Sequence, residues 1–340
     1  MKANEGNLNK SLGFTIVELL TVMGVIAILI GLLVPALSLV KDYSKEIQQK
    51  AQFHSIEVGL GMYKTEFGSY PPSKDNIAAY YPGPAPPADT TLGLDSAYGG
   101  ANKLAEAMVG LDMLGFHPSS IFRADGRNKR DENLTPGDPP DLVPYYVYHA
   151  GVDDDPQFGE SAKENVDNRE GPYLELENAN AFKMEDVYND LDLSTEPFDE
   201  DDDEDSLVLC DVYAERRAHS GKKTGMPILY YRARVHFTYQ DYDVRTDPEE
   251  IDIENDIYYY PDNQNLLELG LPEDQSIDHP LSDDTGLENW LDFENMIRNM
   301  QVTSVKRPYC ADSYILISAG KDGMYGTADD IFNFNKEQNY

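Results

Sequence analysis

Gly13-Phe14-Thr15-Ile16-Val17-Glu18-Leu19-Leu20 opens an apolar run that continues through Thr21-Val22-Met23-Gly24-Val25-Ile26-Ala27-Ile28-Leu29-Ile30-Gly31-Leu32-Leu33-Val34 and reaches Val40. The 27 residues from Phe14 to Val40 carry one charge, Glu18. A helix crosses a bilayer with roughly 20 apolar residues, so the run is long enough. A carboxylate inside such a run costs about 2.5–3.5 kcal/mol on insertion scales and is as a rule functional. Met1 to Gly13 sets Lys2 and Lys10 against Glu5, and this mild positive charge predicts a cytoplasmic leader. The small residue Gly13 precedes the apolar core, whereas a secretory signal carries its small residues after it. Cleavage at Gly13 would therefore leave the membrane helix on the mature chain.

These residues resemble the class III signal of type IV pilins and type II secretion pseudopilins, whose pattern is G-F-T-[LIV]-[IV]-E. The resemblance implies that prepilin peptidase cuts after Gly13 and that Phe14 becomes a methylated N-terminus. It also implies that Glu18, fifth in the mature chain, pairs with the terminal ammonium of a neighbouring subunit during filament growth. Opposite charges in a low-dielectric setting attract strongly and relieve each other's desolvation. Pro35 sits where many pilins carry a proline that kinks or locally melts the helix.

The helix is expected to continue beyond the membrane. Phe53, Ile56, Leu60, Tyr63 and Phe67 recur at spacings of three and four, an apolar stripe on which a domain packs. Lys45, Glu46, Gln49, Lys50, Gln52, Glu57, Lys64 and Glu66 fill the remaining faces. Pro71-Pro72 ends the helix. Tyr63-Lys64-Thr65-Glu66-Phe67-Gly68-Ser69-Tyr70-Pro71 resembles the Y-x-x-x-x-G-x-Y-P stretch that closes the long helix of major pseudopilins.

The chain has 62 Asp and Glu against 27 Lys and Arg among 340 residues, a formal net charge of −35. That excess argues against a basic nucleic-acid surface and against docking on anionic lipid. The run Phe198-Asp199-Glu200-Asp201-Asp202-Asp203-Glu204-Asp205 reads as a solvated acidic loop, since adjacent carboxylates lack the alternation that encloses an ion. Residues 71–100 and 117–170 read as loop-rich, with a short helix over 102–114. Strands are predicted over 207–213, 227–235 and 314–318. Gly225-Met226-Pro227-Ile228-Leu229-Tyr230-Tyr231 resembles the W-G-N-P-Y-x-Y hairpin entry of major pseudopilins, without the Trp and with Met226 for Asn. In that family the next strand follows a short turn, whereas here roughly 80 residues, 233–312, intervene.

Ser318-Ala319-Gly320-Lys321-Asp322-Gly323-Met324-Tyr325-Gly326-Thr327-Ala328-Asp329-Asp330-Ile331 follows the last strand. Three carboxylates among glycines can wrap a hard cation that takes six to eight oxygens, or can belong to two ordinary Asp-Gly turns. The segment is no EF-hand, but it looks like the calcium loop of major pseudopilins. By that resemblance Asp322, Asp329 and Asp330 supply side-chain oxygens to Ca2+, with carbonyls near Ala319 and Thr327. The two cysteines, Cys210 and Cys310, read either as one disulfide, worth up to about 4.7 kcal/mol in the chain-entropy model, or as two buried thiols. The six histidines are scattered, and neither a H-E-x-x-H pattern, a G-x-S-x-G elbow nor a P-loop occurs. No enzyme is expected.

The expectation is an α+β, pilin-like chain: a leader over 1–13, a transmembrane segment over 14–40, an outer helix half over 41–70, and a globular domain over 71–340. Its long helix would pack on a small antiparallel sheet bearing large loop-rich insertions and ending in a calcium loop at 318–331. The resemblance implies a structural subunit of a type II secretion pseudopilus or related filament. It would be anchored by a single pass in a bacterial inner membrane with its domain in the periplasm. Its partners would be prepilin peptidase, other pilin subunits and an inner-membrane assembly platform. Tip subunits of the family that carry big insertions typically lack the glutamate, so Glu18 implies incorporation beneath other subunits. A pilin-anchored adhesin working through residues 71–312, and an ectoenzyme displayed the same way, are the rival classes.

Overall fold

A computed structural model describes residues 15–73, 98–123, 126–131, 142–149, 161–188, 206–216, 221–237, 256–282 and 288–336. The leader with Gly13 and Phe14, the acidic run 198–205 and residues 241–255 lie outside the described residues. The chain forms two units, residues 1–45 and 46–340.

Helix α1 spans Ile16–Phe67 and is assigned as helix straight through Pro35. Its first part is apolar and fully exposed, and it is long and apolar enough to cross a membrane once. The second unit starts within α1 and continues with α2 (Gly100–Val109), β1 (Arg127–Asp131), β2 (Leu142–Tyr146), α3 (Ala162–Asp167) and α4 (Leu176–Ala179). Next come β3 (Ala181–Lys183), α5 (Met184–Val187), β4 (Leu207–Leu209), β5 (Glu215–Arg216), β6 (Lys223–Thr224) and β7 (Leu229–Arg232). The last elements are α6 (Gln264–Glu268), α7 (Glu288–Ile297), β8 (Tyr314–Ser318) and β9 (Ile331–Phe332). The result is an α+β, pilin-like fold: a long helix on small antiparallel sheets with loop-rich regions.

The central sheet runs β7-β8-β9, antiparallel throughout. Leu229 pairs with Ile317 and Arg232 with Tyr314, so the segment between β7 and β8 is a true insertion between neighbouring strands. All five residues of β8 are buried, which means that the sheet is covered on both faces. Alternation along the strands sorts them. Tyr230, Tyr314 and Leu316 join Phe53, Ile56, Leu60 and Tyr63 of α1 and Leu104 and Met108 of α2 in one core. Leu229, Tyr231, Ile315 and Ile317 join Ile257, Tyr258, Leu267, Leu281, Phe293 and Ile297 in the other. The segment between β7 and β8, expected to be loop-rich, thus supplies the second apolar layer from its residues 256–297. Other boundaries also shift. The first helix after the α1 turn is Gly100–Val109 and stops at Gly110, whose φ is 78°, while the stretch read as loop over 117–170 contains the β1–β2 hairpin.

The predicted stripe of α1 is buried, with Phe67 partly so, yet Gln49 and Gln52, read as surface residues, are buried with it. Gln52 donates from Nε2 to the Cys210 carbonyl at 2.8 Å, and Gln49 Oε1 accepts the Val212 N–H at 2.9 Å. These two amides pin α1 to the end of β4.

Glu106 of α2 is fully buried and accepts hydrogen bonds from the hydroxyls of Tyr98 (2.7 Å), Tyr148 (2.8 Å) and Ser120. Burial, offset in part by these hydroxyls and by Lys103, holds its carboxyl above the usual range. A carboxyl raised on folding binds its proton more tightly in the folded state. Its contribution is complete below the ordinary carboxylate range and is lost as pH rises through the folded value. Glu106→Gln is therefore expected to flatten the fall of melting temperature with rising pH; a profile parallel to the wild type would refute that titration.

Candidate functional site

Two ends of the chain carry the candidate chemistry. At the first, Thr15-Ile16-Val17-Glu18 forms a capping box. The Thr15 N–H and hydroxyl both donate to Glu18 Oε2, at 2.9 and 2.8 Å, and the Glu18 N–H donates to Thr15 Oγ1 at 3.2 Å. The reciprocal pair satisfies donors that the first helical turn leaves open. The box signal T-x-x-E lies inside the leader motif, at Thr15 and Glu18.

At the second end, β8 runs into the aspartate loop and returns as β9. Gly320, with φ 67°, makes the turn, and a Cβ there would lie 2.3 Å from the Asp329 carbonyl, so a side chain is excluded. Asp329 Oδ2 accepts the N–H groups of Lys321 (2.7 Å) and Asp322 (3.0 Å), and its Oδ1 accepts the Thr327 hydroxyl at 2.6 Å. Asp330 Oδ2 accepts the Gly326 N–H at 2.8 Å, and Asp322 Oδ1 accepts the Met324 N–H at 2.9 Å. Asp330 Oδ1 is buried with no hydrogen-bond partner. Burial pushes the Asp330 carboxyl up to about 8, against the pull of the Gly326 N–H. Burial and the neighbouring Asp329 also raise Asp322. For Asp329 burial is outweighed by the Thr327 hydroxyl and by Asp322 and Lys321, and its pKa is lowered.

In chemistry these oxygens fit a hard cation: three neighbouring carboxylates, one with an orphaned buried oxygen. In placement they are closed on their own main chain, and among the described residues no three His, Cys, Asp or Glu side chains are gathered to hold a metal ion.

Two features around the loop have no forerunner in the sequence reading. Buried Asp211 accepts the N–H groups of Tyr213 (3.0 Å) and Met226 (3.2 Å) on Oδ1 and the Ser318 hydroxyl (2.8 Å) on Oδ2. Ser318 Oγ in turn accepts the Gly320 N–H at 3.2 Å, so Asp211 anchors the root of the loop. From the insertion, the Leu281 N–H donates to the Tyr325 carbonyl at 3.1 Å, while the buried Tyr325 hydroxyl reaches the Pro227 carbonyl. An acidic chain offers too many aspartates for Asp211 to stand out before the fold is known. Cys210 and Cys310 form no disulfide in this structure. Cys210 is fully buried and Cys310 packs against the same apolar core.

The chain is similar to prepilin peptidase-dependent protein A of Clostridium perfringens (strain 13 / Type A). The two are 38% identical over 65 residues, which are 19% of this chain and 46% of that protein. The chain thus spans about half the length of the curated relative it matches. The similarity suggests a pilin-like family, and the apolar N-terminal helix fits it. No family model and no solved structure matches.

Proposed function

We propose that this protein is a structural subunit of a pilin-like filament, with a type II secretion pseudopilus as the favoured assembly. The observation that carries the proposal is α1. Its first part exposes a predominantly apolar surface from Ile16 to Val40 in which Glu18 is the one charged residue. Such a surface is stable only when removed from water, at about 25 cal/mol per Å2, first in the membrane and then among neighbouring helices. The relative is named as prepilin peptidase-dependent, which supports a reading in which that enzyme cuts this chain after Gly13 and leaves Phe14 as the mature N-terminus. Glu18 sits in the first helical turn, held there by Thr15, and so lies close to where a mature N-terminus at Phe14 would begin. No enzymatic step is assigned to the chain.

The test is to shear filaments from the native cell surface and determine the N-terminus of this chain within them. Recovery beginning at methylated Phe14 supports the proposal; a processed chain confined to the inner membrane counts against filament incorporation and favours an anchored binding domain.

Calcium belongs to the same proposal. Asp322, Asp329 and Asp330 would hold the ion, whose positive charge would balance that of the carboxylates. Lys321, Asp322 and Gly326 main-chain groups already shape the loop around them. Asp322→Ala is expected to lower the melting temperature with calcium present and to leave it nearly unchanged in chelator. An equal drop in both conditions would make the loop self-sufficient.

A further inference from the structure

The insertion between β7 and β8 makes a turn at residues 279–282, closed by the Ser282 N–H on the His279 carbonyl at 2.8 Å. This turn grips one residue of the aspartate loop. The Tyr325 N–H donates to His279 Nδ1 at 3.4 Å, and the Tyr325 carbonyl accepts the Leu281 N–H at 3.1 Å. Both main-chain groups of Tyr325 therefore go to the insertion. His279 and Tyr325 are buried, and their rings meet edge to face with centroids 4.8 Å apart.

The two backbones also touch. A Cβ on Gly326 would lie 2.9 Å from the Leu281 nitrogen and 3.1 Å from Pro280 Cβ, so glycine at this position lets the turn close on the loop. Each side of the contact is tied down. The Tyr260 hydroxyl donates to the Leu281 carbonyl, and the Tyr325 hydroxyl donates to the Pro227 carbonyl at the entry to β7. Tyr325 stands in sequence between Asp322 and the pair Asp329-Asp330, so fixing its main chain fixes the path that joins the three carboxylates.

We propose that residues 279–281 preset the calcium loop, with His279 as a positioning residue, and that the affinity of this chain for calcium is thereby tied to its insertion. The inference rests on the calcium reading given above. A loop already held in place loses less conformational freedom when an ion binds. Groups that orient ligands without touching the metal account for about 10–100-fold in metal affinity.

The experiment uses the full chain in detergent micelles and calorimetric titration with calcium chloride, with Asp329→Ala as the blank for ion uptake by the acidic surface. His279→Phe keeps a ring against Tyr325 but removes the acceptor, whereas His279→Asn keeps an acceptor but removes the ring. Affinity is expected to fall about tenfold or more in His279→Phe and to stay within about threefold of the wild type in His279→Asn. Hydrogen exchange in chelator reads the contact without metal: the Tyr325 and Gly326 amides should exchange faster in His279→Phe and not in His279→Asn. Melting curves in chelator that match the wild type show that both variants fold. Equal affinities in the wild type and His279→Phe overturn the inference, as does an equal loss in both variants, which would make the ring a packing element. A wild type that takes up calcium no better than Asp329→Ala overturns the calcium reading itself, and the inference with it.

Discussion

Glu18→Ala is expected to leave processing at Gly13 intact and to cut incorporation into filaments by about tenfold or more, the loss that follows from roughly 1.4 kcal/mol of missing charge pairing in a low-dielectric setting. Alanine removes two things at once, because Glu18 also closes the capping box with Thr15. Glu18→Gln separates them. A glutamine at this position still completes the box but carries no charge for a neighbouring ammonium. If charge pairing governs assembly, the glutamine variant fails as badly as the alanine variant. A glutamine variant that assembles like the wild type would assign the residue to helix capping and dismiss the pairing role. The readout is the ratio of this chain in sheared filaments to that in membranes, with the mature N-terminus verified in both fractions.

Asp211→Ala should be among the most destabilising single changes in the second unit, at about 3 kcal/mol or more, since it strands two buried donors and a half-buried one together. Those donors are the N–H groups of Tyr213 and Met226 and the hydroxyl of Ser318, which come from three separate stretches of chain. Asp211→Asn keeps an oxygen for the two N–H groups, and the Ser318 hydroxyl can turn to accept from the new amide, so its cost should be clearly smaller. Urea titration of residues 46–340 measures both. Equal losses for the two variants would mean that the negative charge itself, and not the hydrogen-bond geometry, holds the site. A loss of less than about 1 kcal/mol for alanine would remove Asp211 as the anchor of the loop.

The two layers around the sheet show where local pattern stops being informative. Tyr314-Ile315-Leu316-Ile317 is a continuous hydrophobic run, as expected for a strand covered on both faces. One cover was visible, because Phe53, Ile56, Leu60 and Tyr63 repeat at helical spacing. The other was not. Ile257, Tyr258, Leu267, Leu281, Phe293 and Ile297 are spread over short elements with no sustained period, so the region reads as loop until the sheet collects it. Gln49 and Gln52 misled for a related reason. Each falls in register with the buried stripe, but an amide side chain is assigned to solvent unless a main-chain partner is known, and theirs come from residues 210 and 212.

By itself, then, the sequence determined the long helix, its apolar first part with a single carboxylate, strands over 227–235 and 314–318, and the acidic turn that follows. Each of these is written in contiguous residues, where charge, period and glycine placement act within a few turns or strand steps. Only the tertiary structure decided that residues 256–297 contribute the second core layer, that Asp211 roots the aspartate loop, and that Cys210 and Cys310 form no disulfide. Those outcomes depend on contacts between residues tens to hundreds of positions apart, and nothing in local propensity encodes which distant partner a buried polar or aromatic side chain will meet.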